Sequence, residues 1–364
     1  MKIIFSNYDD VKNPYYGGGG AFSIHAIAKR LVSKYDVIVI TGKYPGSKNE
    51  ERDGVYYERI GVSFGGPQFG QALYQILLPL YVLRKKFDVW FESFTPPFST
   101  TCLQIFTRKP VIGVIHLLAG REMARRYKLP FHWLEYLGLK TYKNIVALTE
   151  NLKEQVRYSN KKVNISIIPN GLDNALLQRG PAVKDNYILF LGRIDFTQKG
   201  LDLLLESFFK IKDLTTANLI IAGSGEQQEV DKLNNLTQKL NLSDRVQCVG
   251  RVEGQTKDDL LDKSIVVVMP SRFEAMGIVA LEAFCVFSPL VVFDIPSFEW
   301  VPKDCALKVG AYDTDKLAQG MLSLLNDATL RDSISSRAKS FVQKFNWEKI
   351  TSDYNELIVA VTKA

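Results

Sequence analysis

A chain of 364 residues is long enough for two or three domains, each with its own core, which excludes a single small binding module. With 46% hydrophobic and 23% charged residues, 14 Pro and 25 Gly, its composition excludes disordered, collagenous and disulfide-built classes. Charge is uneven: residues 1–180 hold 25 Lys and Arg against 14 Asp and Glu (net +11), and residues 181–364 hold 21 against 25 (net −4), so the two halves are expected to face different partners.

At the start, MKIIFSNYDD reads as a strand ending in a polar turn, without the apolar stretch of a signal peptide. No apolar run approaches the ~18 residues that span a bilayer; the nearest, Gln75 to Leu83, is short and contains Pro79. Cys102, Cys248, Cys285 and Cys305 form no CxxC pair, and His25, His116 and His132 are scattered, so no zinc site is expected. The expectation is a cytoplasmic, reduced, metal-free protein.

Strand-like runs then alternate with helical segments: KIIFS, DVIVI, DVWFE, PVIGVI, NIVAL and ISII, followed by YILFLG, NLIIAG, RVQCVG, SIVVVMP, PLVVF and CALKV. Nearly all-apolar runs in such alternation predict parallel sheets covered by helices on both faces. Near 170–185, IPNGLD and a polar RGP stretch mark a linker, after which strand, glycine turn and helix restart. The simplest α/β architecture is two Rossmann-like domains facing one another across a cleft, with ligands beyond the carboxyl ends of the strands.

The strongest local signal is PSRFEAMGIVALEAF, directly after SIVVVMP. Its turn should leave N–H groups near Gly277 at a helix N-terminus, where phosphate oxygens fit. Glu282, further along that helix, suits vicinal hydroxyls. The alternative is that Glu274 only complements the helix dipole and Glu282 is a solvated charge. A glycosidase pair is disfavoured, because eight helical positions span ~12 Å, whereas such carboxylates stand roughly 5–10 Å apart. Arg193 and Lys199, in LGRIDFTQKGLDLL, form a cationic pair that could stabilise a departing diphosphate without magnesium; otherwise they belong to a solvated basic loop.

Taken in order, GGGGAFSIHAIAKRL, IPNGLD, LGRIDFTQKGLDLL, IAGSGE and PSRFEAMGIVALEA resemble the retaining GT-B glycosyltransferases of family 4 over nearly the whole chain. The resemblance implies a first, acceptor-binding Rossmann-like domain (1–175), a second that binds nucleotide-sugar (176–345), and a last helix (346–364) packing back on the first. It implies that Arg193 and Lys199 hold the diphosphate with Gly19, Gly20 and the Gly277 region. Glu282 would hold the ribose, backbone at Arg251 and Val252 would meet the base, and Glu274, Ala275, Met276 and Gly277 would face the donor sugar together with His116. It also implies no cofactor and no metal. An alternative for His116 is a hydrogen-bonded core histidine.

Two departures from the family stand out. Phe287 occupies the usual glycine position in FCVFSP, and IPSFE lacks the usual glycines while keeping Glu299, which leaves the local backbone and sugar selectivity open. Two decoys are set aside. Asp313 and Asp315 spell DxD but precede a helix, where an N-cap is expected. IAGSGE contains GxG without the rest of a dinucleotide fingerprint, and is expected to line the nucleotide cleft.

In the first domain, Arg121, Arg125, Arg126 and Lys128 crowd a segment followed by Phe131, Trp133, Tyr136 and Leu137. They suggest docking on an anionic membrane or a pyrophosphate-linked lipid acceptor, against the alternative of a solvated basic face. No nucleic-acid motif accompanies the charge. The resulting expectation is a hexosyltransferase using a UDP-hexose such as UDP-glucose, extending a polysaccharide or lipid-linked oligosaccharide at the cytoplasmic face of the membrane. The alternatives are a GT-B epimerase or phosphorylase, or a non-catalytic sugar-nucleotide or glycan-binding subunit.

Overall fold

The computed structural model describes residues 1–14, 18–94 and 101–363, without the side chain of Arg126. The chain forms two compact units, Met1–Gly171 with Trp347–Ala364, and Leu172–Asn346.

Among the described residues the first unit holds an eight-stranded sheet made of β1 (Lys2–Ser6), β2 (Asp36–Gly42), β3 (Glu50–Arg52), β4 (Val55–Ile60), β5 (Val89–Phe94), β6 (Val111–Ile115), β7 (Asn144–Ala147) and β8 (Asn164–Ile167). Their spatial order is β3-β4-β2-β1-β5-β6-β7-β8, with β3 antiparallel to β4 and the other pairings parallel. Alternate residues serve two cores. Ile3, Phe5, Val89 and Phe91 pack under the Gly19–Leu31 and Trp347–Lys363 helices, which turns Ile4 and Trp90 to the opposite face, where both are fully buried.

The apolar runs read from the sequence all appear as strands; β3 and β4 were not among them. In VYYERI, Arg59 points inward at 4% exposure, a pattern that looks polar in sequence. It is tolerated because the Asp10 carboxylate accepts from its guanidinium at 2.7 Å and Glu50 lies at 3.3 Å.

Gly171 permits the chain to pass Trp347, since a Cβ there would lie 2.7 Å from the indole. Next to it the buried Asn170 meets Ser23 of the Gly19–Leu31 helix, Oδ1 to Oγ 2.7 Å. The IPNG segment therefore ties the end of the first unit's main chain to its first helix.

The second unit's sheet, among the described residues, is wholly parallel and ordered β11-β10-β9-β12-β13-β14. These strands are β9 (Asp185–Leu191), β10 (Asn218–Ala222), β11 (Val246–Gly250), β12 (Ser264–Met269), β13 (Leu290–Phe293) and β14 (Leu307–Val309). Strand order reverses between β1 and β5 in the first sheet and between β9 and β12 in the second. Those are the points at which open α/β sheets offer ligand sites.

Candidate active site

In the second unit, the polar residues singled out above gather along the carboxyl edge of four adjacent strands, β11, β10, β9 and β12. The loop after β9 is set by backbone contact. Gly192 N donates to Ala222 O and Ile194 N to Ser224 O, each at 2.9 Å. A Cβ on Gly223 would lie 1.7 Å from Gly192 O, and one on Gly225 2.3 Å from Ile194 O. Hence the glycines of IAGSGE are needed for close approach, and they hold the loop that carries Arg193.

Asp195 caps the short Phe196–Lys199 helix by accepting from Gln198 N at 2.8 Å. That helix ends at Gly200, whose φ of 65° and close approach to Pro270 O, 2.1 Å from a built Cβ, both require glycine. This contact seats Lys199 beside the turn after β12. There Lys199 Nζ donates to Glu274 Oε1 at 2.5 Å, and Ser271 Oγ donates to the same oxygen at 2.7 Å. Arg193 is the more exposed cation, held by Gln198 Oε1 at 2.6 Å and Asp195 at 3.2 Å.

Arg272 fastens the PSRFEAMG turn through a bidentate contact with Asp202, 3.0 and 2.7 Å, and a bond to Phe196 O at 2.6 Å. Glu274 N donates to Ser297 Oγ at 2.9 Å. Ser297 lies in the IPSFE segment that departs from the family pattern, so a hydroxyl secures the backbone there, while Glu299 is exposed. The turn closes at Gly277, with φ 74°, followed by the Ile278–Cys285 helix, which no side chain among the described residues caps. Ala280 N donates back to Gly277 O at 2.9 Å, while the N–H groups of Ile278 and Val279 have no partner among the described residues, an arrangement that suits an anion. Met276 is buried beneath the turn and Ala275 is half-buried.

Glu274 and Glu282 are 7% and 9% exposed, so neither is a solvated surface charge. Burial raises the Glu282 pKa, an effect opposed by Lys257, whose Nζ stands 2.5 Å from Oε1. Arg251 and Val252 follow β11, with Arg251 Nε bonded to Glu253 at 2.7 Å. Lys257 and Ser297 have no mark in the sequence because their partners, Glu282 and Glu274 N, lie 25 and 23 residues away in the chain; Gln198 and Ser271 stand within five residues of Arg193 and Glu274, but only the fold turns their side chains toward them. Asp313 caps its helix by accepting from Asp315 N and Lys316 N at 2.9 and 3.0 Å. Phe287 adopts φ 55°, the left-handed conformation that suits glycine.

In the first unit, Gly19 and Gly20 open the first helix, whereas Gly17 lies outside the described residues. A Cβ on Gly20 would lie 3.3 Å from the ring of His116, which follows β6. Burial pushes the His116 pKa down to about 4, and its Nε2 is buried without a partner among the described residues. The reading of His116 as a hydrogen-bonded core histidine is thus not what the ring shows at Nε2. Arg121, Arg125 and Lys128 are exposed on or at the end of the Gly120–Tyr127 helix; the Arg126 side chain is outside the described set.

Paired α/β units with parallel sheets and polar groups at the strands' carboxyl ends define the GT-B class. Two solved structures share the fold over nearly their whole length: sucrose-phosphate synthase from Thermosynechococcus elongatus (TM-score 0.82, 18% identity, 100% of this chain and 99% of that one) and HepE from Anabaena in complex with UDP and glucose (0.79, 16%, 99% and 100%). Residues 17–176 match the family described as Glycosyltransferase Family 4, and residues 175–341 match Glycosyl transferases group 1. The chain is 30% identical to an uncharacterized glycosyltransferase of Methanocaldococcus jannaschii, over 97% of its own length and 96% of the relative's. It belongs to glycosyltransferase family 4.

Proposed function

We propose that this glycosyltransferase moves a hexose from a UDP-hexose, such as UDP-glucose, to a polysaccharide or lipid-linked oligosaccharide, with retention and without a metal. The observation that carries this reading is the convergence at the β9/β12 switch point: Lys199 paired with Glu274, Arg193 nearby, and the open N-terminus after Gly277. Support for the nucleotide comes from the similar fold of HepE, whose structure contains UDP and glucose.

In this reading Arg193 and Lys199 take the charge that builds on the leaving diphosphate, the role a divalent cation would otherwise fill. The C1–O bond to the diphosphate breaks as the acceptor oxygen bonds to C1 on the same face of the ring. The acceptor's proton passes to a departing phosphate oxygen, so the products are the glycoside and UDP. Glu274, backbone of Ala275 to Gly277, and His116 orient the sugar. Glu282, held by Lys257, accepts from the ribose hydroxyls, and backbone at Arg251 and Val252 meets the base. Gly19 and Gly20 leave room for diphosphate and sugar at the first unit's helix start. His116, neutral at physiological pH, acts as a hydrogen-bonding group without charge.

A thermal-shift screen of nucleotides and nucleotide-sugars tests the donor class, because a ligand of the folded state raises the melting temperature according to its affinity. UDP and a UDP-hexose should give the largest shifts; no shift with any uridine nucleotide would remove that donor. NMR of the product's anomeric proton then decides between retention and inversion.

A further inference from the structure

The Gly66–Arg84 helix, GPQFGQALYQILLPLYVLR, is apolar on both sides and contains no acidic residue. Its inner side buries Tyr74, Leu78 and Val82 against the first sheet, where Tyr74 Oη donates to Ile40 O at 3.2 Å. At 100° per residue, Phe69, Leu73, Ile76, Leu80 and Leu83 fall within about 40° of one line on the other side. Ile76 is 68% exposed, Leu83 60%, Phe69 50% and Leu80 45%. A surface helix normally turns a polar face to water, and one that is apolar all round calls for a second apolar environment.

Its surroundings say which environment. Arg84 and Lys86, at the helix end, are exposed and have no ion-pair partner among the described residues, while Lys85 between them is paired with Glu58 at 2.6 Å. The adjoining Leu103–Phe106 turn, which packs on this helix, exposes Ile105 and Phe106 and leads to the exposed Arg108. Apolar side chains are thus rimmed by unpaired cations. A second copy seated on this stripe would find no acidic residue in the helix to answer Arg84 and Lys86. A bilayer with anionic headgroups answers both features at once.

We propose that the outer face of the Gly66–Arg84 helix docks the protein on an anionic lipid bilayer, lying in the interface rather than crossing it. No helix among the described residues is long and apolar enough to cross a membrane. This surface is a different element from the Arg121–Lys128 segment, and it stands or falls independently of the donor assignment.

Co-sedimentation of the full chain with vesicles of phosphatidylcholine, alone or with 30% phosphatidylglycerol, tests it. The wild type is expected to partition at least tenfold better onto the anionic vesicles. The triple variant Ile76→Gln/Leu80→Gln/Leu83→Gln should lose at least tenfold of that binding, and Arg84→Gln/Lys86→Gln should lose the preference for anionic lipid. Phe209→Gln, at an exposed aromatic of the second unit, should bind as wild type. Equal binding by wild type and triple variant overturns the proposal, as does a concentration-dependent dimer, seen by light scattering, that the triple variant abolishes. Should the triple variant misfold, Leu80→Trp serves instead: its emission should shift to the blue on adding anionic vesicles, and an unshifted spectrum overturns the assignment.

Discussion

Lys199 Nζ lies 2.5 Å from Oε1 of Glu274, so the cation assigned to the diphosphate and the carboxylate assigned to the sugar form one ion pair. The two side chains are 17% and 6% exposed, which places the pair where removing one partner is felt by the other.

Replacing Glu274 by Gln keeps an acceptor for Ser271 and removes the charge. Turnover should fall by about 10²-fold or more, in line with the loss of one group that stabilises developing charge, while UDP affinity stays within about threefold. Steady-state kinetics and calorimetric titration with UDP check the split; transfer at the wild-type rate would take Glu274 out of the site.

Lys199→Met is expected to act on both quantities. A charge-assisted hydrogen bond contributes ~1.5–3 kcal/mol, so UDP should bind about 10- to 100-fold more weakly, with turnover falling as well. Stability should drop by ~1–3 kcal/mol because, among the described residues, the Glu274 carboxylate then keeps only the Ser271 hydroxyl. Urea unfolding reads the second effect independently of the first.

Gly223→Ala tests how the Arg193 loop is held. Its new methyl would overlap Gly192 O, 1.7 Å away, so either the loop moves or the sheet edge does. The melting temperature should fall, with ~1–3 kcal/mol lost to overpacking, and UDP affinity should fall at least tenfold. Unchanged values for both would show that the glycine is dispensable.

Two first-unit groups give pH effects of opposite sign. Burial, with the Asp10 carboxylate second, pushes Asp9 up to about 7. The folded chain therefore keeps a proton there that the unfolded chain loses near pH 4, and this contribution to stability fades as pH rises from about 4 to about 7. His116, pushed down to about 4, stays neutral in the fold while an unfolded histidine protonates near 6.5. Its contribution is lost as pH falls from about 6.5 to about 4. Relative to wild type, the melting temperature at pH 5 minus that at pH 8 should become smaller in Asp9→Asn and larger in His116→Gln. A change of the reverse sign in either variant contradicts the assignment.

Much of the fold was readable because doubly buried strands are nearly all apolar. Of the two strands that were not, β4 shows the limit: Arg59 occupies an inward position made tenable by Asp10, 49 residues away in the chain, together with Glu50. Within the site, Arg193, Lys199, Glu274 and Glu282 sit in short segments whose order resembles a family. Lys257 and Ser297 do not, because each matters through one contact made by folding, with Glu282 and with Glu274 N respectively. The IAGSGE glycines were visible as a motif, but their purpose was not. They serve backbone approach to Gly192 and Ile194, which no reading of IAGSGE alone could supply.

Calorimetric titration of UDP in the presence of EDTA, for wild type and for Arg193→Gln/Lys199→Met, bears most directly on the claim that fixed cations hold the donor's phosphates. Wild type should bind with chelator present, and the double variant about 100-fold more weakly or not at all. Equal affinity in the two proteins, or wild-type binding that appears only after manganese is added, would contradict it.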